Sequence, residues 1–348
     1  MPEFSAQDEV FMRRAVELAW KSAGKTRPNP PVGAVVAKGG RVIGEGRHKR
    51  AGGPHAEAAA LAACKQSPRG ATVYVTLEPC STPGRVGACT DALAAAGVAR
   101  VVWACRDPNP ANAGRAARIL RRAGIECAHG LCRAEAEPLV APFAKHVLTG
   151  MPFVTVKLAM SLDGRVCDGA GAAKWISGPA ARKATGRLRS TVDAVMAGAG
   201  TVRADDPSLL CREGRNDSLL RVIVCSGRGL PPDSQVLTDG AADRTIVAVP
   251  ADGGDRVDLR TLMRALGARG VMHVLCEGGL KLARALADEG LVDEWISVQA
   301  PVLIGSRPLA AAPRGRLVSV RTAGCDTIAR FAFGAAAEEI RRPQCSRA

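Results

Sequence analysis

The sequence predicts an α/β protein of two domains, an N-terminal α/β/α sandwich over residues 1–148 and a second α/β domain over residues 149–348. Three observations carry this expectation. At 348 residues, 47% of them hydrophobic, the chain exceeds a usual single core and has material for two. β-branched runs alternate with alanine-rich stretches, the pattern of helices laid on a central sheet. Pro138, Pro142 and the sequence Gly150-Met151-Pro152 punctuate the chain and place a boundary near residues 147–152.

Ser5 and Asp8 form a capping-box signature, after which Val10, Met12, Ala15, Val16, Leu18 and Ala19 recur at helical spacing up to Gly24. Segments 32–37 and 41–44 flank Lys38-Gly39-Gly40 and read as a hairpin. Residues 55–64 are alanine-rich and helical. Strands at 71–77 and 98–104 follow, separated by another alanine-rich helix that ends at Gly97. A helix over 115–123 is stopped by Gly124, a short strand occupies 125–128, and Pro138 and Pro142 interrupt the next helical stretch. In the second half strands are expected at 153–158, 194–199, 220–225, 245–249, 271–276 and 295–299, with helices at 179–189, 259–266 and 280–289.

The net charge of +15 is spread along the chain, +9 over residues 1–150 and +6 over the remainder, without a Lys/Arg block. That distribution suits small anions such as phosphate esters at least as well as a polyanion. Aromatic residues are only 3%, so stacking platforms for single-stranded nucleic acid are scarce. The twelve cysteines are scattered and the first residues lack a basic stretch followed by an apolar run, which predicts reduced thiols and a cytoplasmic protein. No apolar run reaches the roughly 18 residues a membrane span needs. A homo-oligomer is compatible with the sequence, which does not set the number of copies.

One constellation carries chemistry. His55-Ala56-Glu57 opens a helix after Gly52-Gly53-Pro54, Glu78-Pro79-Cys80 ends a strand, and Cys89 opens a further helix. An imidazole and two thiolates make a three-ligand zinc site whose fourth position stays free for water. Helix N-termini also favour thiolates. Glu57, two residues past His55, can overhang the metal without binding it and move a proton from water to a departing amine. This is the division of labour of zinc base deaminases. Those acting on nucleic acid or free nucleosides commonly show Pro-Cys-x-x-Cys, whereas eight residues separate Cys80 from Cys89 here. A tRNA- or DNA-type deaminase and a purely structural zinc module stand as competing readings of the motif. In the second half, no Gly-x-Gly-x-x-Gly follows a strand. Gly278-Gly279, between a β run and a helix, provides an anion site, and Gly198-Ala199-Gly200-Thr201 can bring backbone close to a cofactor. Either glycine set serves equally as a tight turn.

Thr26-Arg27-Pro28-Asn29-Pro30-Pro31-Val32-Gly33, Gly53-Pro54-His55-Ala56-Glu57, Thr76-Leu77-Glu78-Pro79-Cys80 and Asp107-Pro108-Asn109-Pro110 together resemble the bifunctional riboflavin-biosynthesis deaminase/reductase family. The resemblance continues to about residue 305 through Lys157 to Gly164, Lys174-Trp175-Ile176-Ser177, Asp193-Ala194 to Arg212, Glu277-Gly278-Gly279 and Ala300 to Gly305. It implies a cytidine-deaminase-like domain followed by a dihydrofolate-reductase-like domain, with Zn2+ and NADPH as cofactors. The implied substrate is a diamino-hydroxy-pyrimidine bearing a phosphoribosylamino group, which loses its ring amine at C2 before the opened ribose is reduced to ribityl.

Carried over residue by residue, the resemblance puts Asn29, His48 and Asn109 at base and ribose and Arg85 at the phosphate. In the reductase half it puts Arg189, Leu209, Arg212 and Glu277 on the substrate side. Lys157, Trp175, Ser177, Gly200, Thr201, Gly278 and Gly279 fall on the cofactor side. Asp205 falls near the reacting ribose and the cofactor, as an electrostatic or proton-handling group. This chain departs from the family pattern in one loop. Gly84-Arg85-Val86-Gly87-Ala88-Cys89 replaces the usual Gly-Lys/Arg-Thr-Pro-Pro-Cys, and Thr82 stands where a His is common. A chain with one of the two activities is the further alternative this departure raises.

Overall fold

The structure is a computed structural model that describes residues 4–82, 87–161, 164–167, 176–251, 254–300, 316–324 and 326–332. Its contacts divide the chain into two units, Met1–Met151 and Pro152–Ala348.

In the first unit, α1 (Ala6–Trp20) starts at Ser5, whose hydroxyl accepts the Asp8 N–H at 3.1 Å while the Asp8 carboxylate accepts the Ser5 N–H at 2.8 Å. The reciprocal cap satisfies two donors that a helix N-terminus leaves free. Val10, expected on the apolar face, is 56% exposed, and its neighbour Phe11 is buried with its ring 5.3 Å from that of Tyr74. The aromatic contact sets the rotation of the helix. The hairpin β1 (Gly33–Lys38) and β2 (Arg41–Arg47) follows, then α2 (Ala56–Ala62), β3 (Thr72–Leu77), α3 (Cys89–Ala96), β4 (Arg100–Cys105), α4 (Arg115–Arg122), β5 (Glu126–His129) and α5 (Arg133–Thr149).

The sheet order is β2-β1-β3-β4-β5, with β1 antiparallel to both neighbours and β3, β4 and β5 parallel. Side-chain alternation sends Val35, Ala37 and Val102 to the core under α1 and α5, and Ala34, Val36 and Val101 to the core under α2, α3 and α4. The unit is an α/β/α sandwich. Two details position its chemistry. A Cβ on Gly46 would lie 2.2 Å from the Ala60 nitrogen and 2.3 Å from the Ala56 oxygen, so glycine in β2 lets α2 sit directly on the strand. In addition α5 runs unbroken through Pro138 and Pro142, contrary to expectation. Each proline removes one main-chain bond, at up to about 3 kcal/mol, and burial of Ala136, Leu139 and Val140 against the sheet outweighs the loss.

The second unit contains β6 (Phe153–Met160), α6 (Pro179–Gly186), β7 (Ala194–Gly198), α7 (Ala199–Asp205), β8 (Leu220–Val224), α8 (Gln235–Thr238), β9 (Thr245–Ala248), α9 (Leu259–Ala268), β10 (His273–Cys276), α10 (Leu280–Asp288), β11 (Glu294–Gln299), β12 (Arg316–Ala323) and β13 (Asp326–Ala332). The sheet runs β12-β13-β11-β6-β10-β7-β8-β9, parallel from β11 to β9 and closed at one edge by the antiparallel pair β12–β13. The helix expected over 179–189 ends at Gly186 and tightens into a 3-10 turn over Arg187–Thr191. Gly198 is the N-cap of α7, a helix no periodicity announced. Pairing with β11 makes the β12–β13 hairpin. Val318 and Val320 on its outer strand are 44% and 55% exposed, so it lacks the buried apolar run that marks a strand in sequence.

Candidate active sites

The close seat of α2 on β2 fixes its N-terminus, and His55 is the N-cap there, with extended backbone (φ −68°, ψ 162°). Cys89 is the first residue of α3, and Cys80 lies just beyond the end of β3. The three side chains converge: His55 Nδ1 is 3.3 Å from Cys89 Sγ and 3.5 Å from Cys80 Sγ, and the three donor atoms lie within 4.8 Å of one another. A tetrahedral zinc with bonds of about 2.1 Å to nitrogen and 2.3 Å to sulfur separates those donors by about 3.6 Å, so the residues fit the metal. The Cys80 thiol is held below its ordinary value, foremost by the Cys89 thiol and then, against burial, by His55 and the Cys89 N–H at 3.4 Å.

Glu57, in the first turn of α2, is 4% exposed, and burial pushes its carboxyl up to about 7. It lines a cavity of about 240 Å³ with Asn29, His48, His55, Cys80, Asp107 and Asn109. Burial depresses the His48 imidazole, which leaves the ring neutral. Its Nδ1–H donates to the Pro54 carbonyl at 3.0 Å, so Nε2 accepts the Asn29 amide at 3.1 Å. That chain ties two expected substrate residues to the backbone just before His55. Asn109 caps its own turn, its Oδ1 accepting the Ala111 N–H at 3.0 Å. Arg85 lies outside the described residues.

Three further residues shape the cavity without having been assigned a role from sequence. Glu78 accepts the N–H groups of Asp107, Gly114 and Ala116 at 3.3, 3.1 and 3.2 Å, and so fixes the loop after β4. Its place in Glu78-Pro79-Cys80 was a usable signal. Asn112 and Phe143 also line the wall. Neither has a local signature, because each reaches the cavity from an element distant in sequence.

In the second unit the pairing of β6 with β10 brings Lys157, within β6, near Glu277, just beyond the end of β10. Glu277 accepts Arg189 Nε at 2.6 Å, and Lys157 Nζ stands 3.8 Å away. Burial alone would raise the Glu277 carboxyl, but Arg189, Lys157 and Arg212 outweigh it and hold it lowered. Arg189 also donates from NH1 to the Leu210 carbonyl at 2.8 Å. The residue expected to clamp a phosphate thus has two donors engaged within the fold and only the remainder to offer a ligand. Thr201 accepts the Gly279 N–H at 3.1 Å, and Gly279 caps α10. A Cβ on Gly278 would meet the Gly198 nitrogen at 2.9 Å, so glycine there permits close backbone approach. Gly200 sits exposed within α7.

Asp205 ends α7 and is followed by two left-handed non-glycine residues, Asp206 (φ 38°) and Leu209 (φ 54°). Strain of this kind concentrates at functional segments. Arg212 is exposed, Ser177 is buried with its carbonyl accepting from Arg182, and Trp175 lies outside the described residues.

A carboxylate buried beside a His-Cys-Cys donor triangle on an α/β/α sandwich defines the zinc-dependent base deaminases, here joined to a second α/β unit with its own charged cluster of Lys157, Arg189 and Glu277. Comparison with known proteins agrees on both units. Residues 5–105 match the cytidine and deoxycytidylate deaminase zinc-binding region, and residues 152–330 match the RibD C-terminal domain. Riboflavin biosynthesis protein RibD of Escherichia coli K12 is 39% identical over 360 residues, covering 92% of this chain and 98% of that protein. The protein of the same name from Haemophilus influenzae is 41% identical over 330 residues, covering 88% of this chain and 89% of the relative. Acinetobacter baumannii RibD superposes with a TM-score of 0.82 at 39% identity over 94% of this chain and 98% of that one. A Thermotoga maritima diaminohydroxyphosphoribosylaminopyrimidine deaminase/5-amino-6-(5-phosphoribosylamino)uracil reductase gives 0.84 at 34% identity, over 94% and 99%. The chain belongs to the RibD family of riboflavin biosynthesis proteins, with a deaminase and a reductase domain. Because membership spans both units, it decides between the readings the zinc motif alone left open.

Proposed function

We propose that the first unit hydrolyses the C2 amine of 2,5-diamino-6-(5-phosphoribosylamino)pyrimidin-4-one, and that the second reduces the ribosyl group of the resulting 5-amino-6-(5-phosphoribosylamino)uracil to ribityl. The observation that carries this reading is the convergence of His55, Cys80 and Cys89 at a cavity that His55, Cys80 and buried Glu57 line. Zn2+, held by those three side chains, supplies the Lewis acidity that makes water a nucleophile near neutral pH. Glu57 takes the proton from that water and delivers it to the departing nitrogen, so that the C2–N bond breaks, a C2–O bond forms and ammonia leaves. Burial of Glu57 on the cavity wall places its carboxyl where it takes up and returns a proton. Asn29 and His48 orient the ring, and the His48–Pro54 bond holds them in register with the metal ligands.

In the second unit NADPH supplies the hydride. Gly278 and Gly279 let it approach the backbone closely at the start of α10, where the Thr201 hydroxyl holds the Gly279 N–H and fixes the turn. Lys157 and Glu277 line the site beside Arg189. Arg212 faces the phosphate and Asp205 handles the proton, while Leu209, 2% exposed and packed with Val195, Val202 and Ile223, supports the substrate side from within the core. We place Ser177 and Gly200 on the cofactor side.

The test is NADPH absorbance after addition of the diamino compound to zinc-loaded protein, with ammonia assayed in the same tube. The reading expects NADPH to fall only after the diamino compound is present, and Glu57→Gln to keep zinc while slowing ammonia release about 100-fold or more. Ammonia without NADPH loss would restrict the chain to one activity. Unchanged ammonia release in Glu57→Gln would remove Glu57 from the chemistry.

A further inference from the structure

Two segments meet at the wall of the deaminase cavity, Cys80-Ser81-Thr82 after β3 and Asp107 to Asn112 after β4. The Asn112 carboxamide lies between them, 8% exposed. Its Oδ1 accepts the Thr82 hydroxyl at 2.9 Å, the Ser81 N–H at 3.3 Å and the Ser81 hydroxyl at 3.4 Å. Asn112 belongs to the same loop as Asp107, itself 6% exposed, whose carboxylate accepts the Asn109 N–H at 2.8 Å, and the Asn112 N–H in turn donates to the Asn109 carbonyl at 2.9 Å. On the other flank of Cys80, Glu78 holds the same loop through the N–H groups of Asp107, Gly114 and Ala116. The zinc donor is therefore gripped from both sides by the loop that carries Asp107 and Asn109.

We infer that Asn112 is a positioning residue that couples metal retention to the substrate-side wall: its side chain holds the Ser81-Thr82 segment beside Cys80, and its own backbone is part of the loop that carries Asp107 and Asn109. The inference rests on the zinc-deaminase reading above. A carboxamide suits the task because its oxygen presents one neutral acceptor to the Ser81 and Thr82 donors together. An aliphatic side chain there would leave the Ser81 N–H and the Thr82 hydroxyl without their acceptor. Thr82 stands where the family pattern commonly has His, so the hydroxyl-to-carboxamide contact is this chain's arrangement of the loop.

The test uses the full zinc-loaded chain as wild type, Asn112→Leu, Thr82→Val and the double variant. Zinc release to the chromophoric chelator 4-(2-pyridylazo)resorcinol is followed alongside kcat and KM for ammonia release. Loss of an outer partner of a metal ligand typically changes affinity or activity by about 10- to 100-fold. Asn112→Leu is expected to release zinc faster and lose deamination kcat/KM by factors in that range. Thr82→Val shifts both in the same direction by less, and the double variant is no worse than Asn112→Leu, because the hydroxyl has already lost its acceptor. Wild-type zinc release in Asn112→Leu, or single effects that simply multiply in the double variant, overturns the inference. If Asn112→Leu does not fold, seen as loss of its thermal transition, Thr82→Val decides alone, and unchanged zinc release overturns the proposal. A wild-type chain that holds no zinc and releases no ammonia overturns the parent reading instead.

Discussion

Replacing Asp239 by alanine leaves a fully buried guanidinium without its counter-charge. Arg221, on β8, has 0% side-chain exposure. Its NH1 and NH2 donate to the two Asp239 oxygens at 2.7 and 2.8 Å, and again to the carbonyls of Ser208 and Val236, each at 3.0 Å. Those bonds from Arg221 hold the Asp239 carboxyl below its ordinary range. Removing one partner of a buried pair costs about 3–5 kcal/mol. Asp239 retains 24% side-chain exposure, so water replaces part of the lost interaction and the lower end, about 3 kcal/mol, is expected.

For a unit of this size each kcal/mol moves the melting temperature by about 2–4 °C, which places the shift near 6–12 °C. Calorimetry of the full chain, with NADPH-dependent reduction and ammonia release assayed after graded heating, reads the effect by unit. Reduction should be lost at lower temperature while deamination keeps its wild-type profile. Since Arg221 also anchors Ser208, within the segment from Asp205 to Arg212, KM for the reductase substrate should rise. A destabilisation below about 1 kcal/mol would refute the reasoning, because exposed pairs account for that much. So would an Arg221→Met/Asp239→Leu double variant as unstable as the single, since an apolar pair removes the desolvation problem.

Three other outcomes are expected. Gly46→Ala places a methyl 2.2 Å from the Ala60 nitrogen and should drive α2 off β2, at about 3 kcal/mol, with loss of bound zinc by metal analysis and of ammonia release. Gly278→Ala, whose methyl would lie 2.9 Å from the Gly198 nitrogen, should raise KM for NADPH and leave deamination intact, as paired steady-state assays would show. Burial pushes the His273 imidazole down from 6.5 to about 4, with its Nε2 2.8 Å from the Thr155 hydroxyl. The fold thus prefers the neutral ring, and the stabilisation is complete above pH 6.5 and lost as pH falls towards 4. At about 1.4 kcal/mol per unit the loss has a ceiling near 3 kcal/mol, reduced because the ring keeps some surface. Urea titrations at pH 7.5 and 5 should show this slope, and His273→Gln should flatten it.

The metal site was legible because its chemistry is written in short pieces. His55 and Glu57 share one helix start, Glu78 and Cys80 one strand end, and Cys89 another helix start. The cap of α1 at Ser5 was legible for the same reason, its partners lying three residues apart. Prediction failed where a distant contact overrode local preference. Phe11 instead of Val10 faces the core because Tyr74 is there to meet it, and α5 survives its prolines because a sheet lies beneath it.

By itself, then, the sequence determined the two-domain α/β class, the alternation of elements and the residue types of the zinc chemistry. Each of these follows from main-chain periodicity, capping and donor identity over a few residues. Only the tertiary structure decided that Arg189 binds Glu277 across 88 positions, that Asn112 joins the Cys80 segment 30 residues away, and that the α7 and β12–β13 segments take up regular structure. Such pairings depend on which strands become neighbours, and that order is set by burial over the whole unit, which no short stretch of chain encodes.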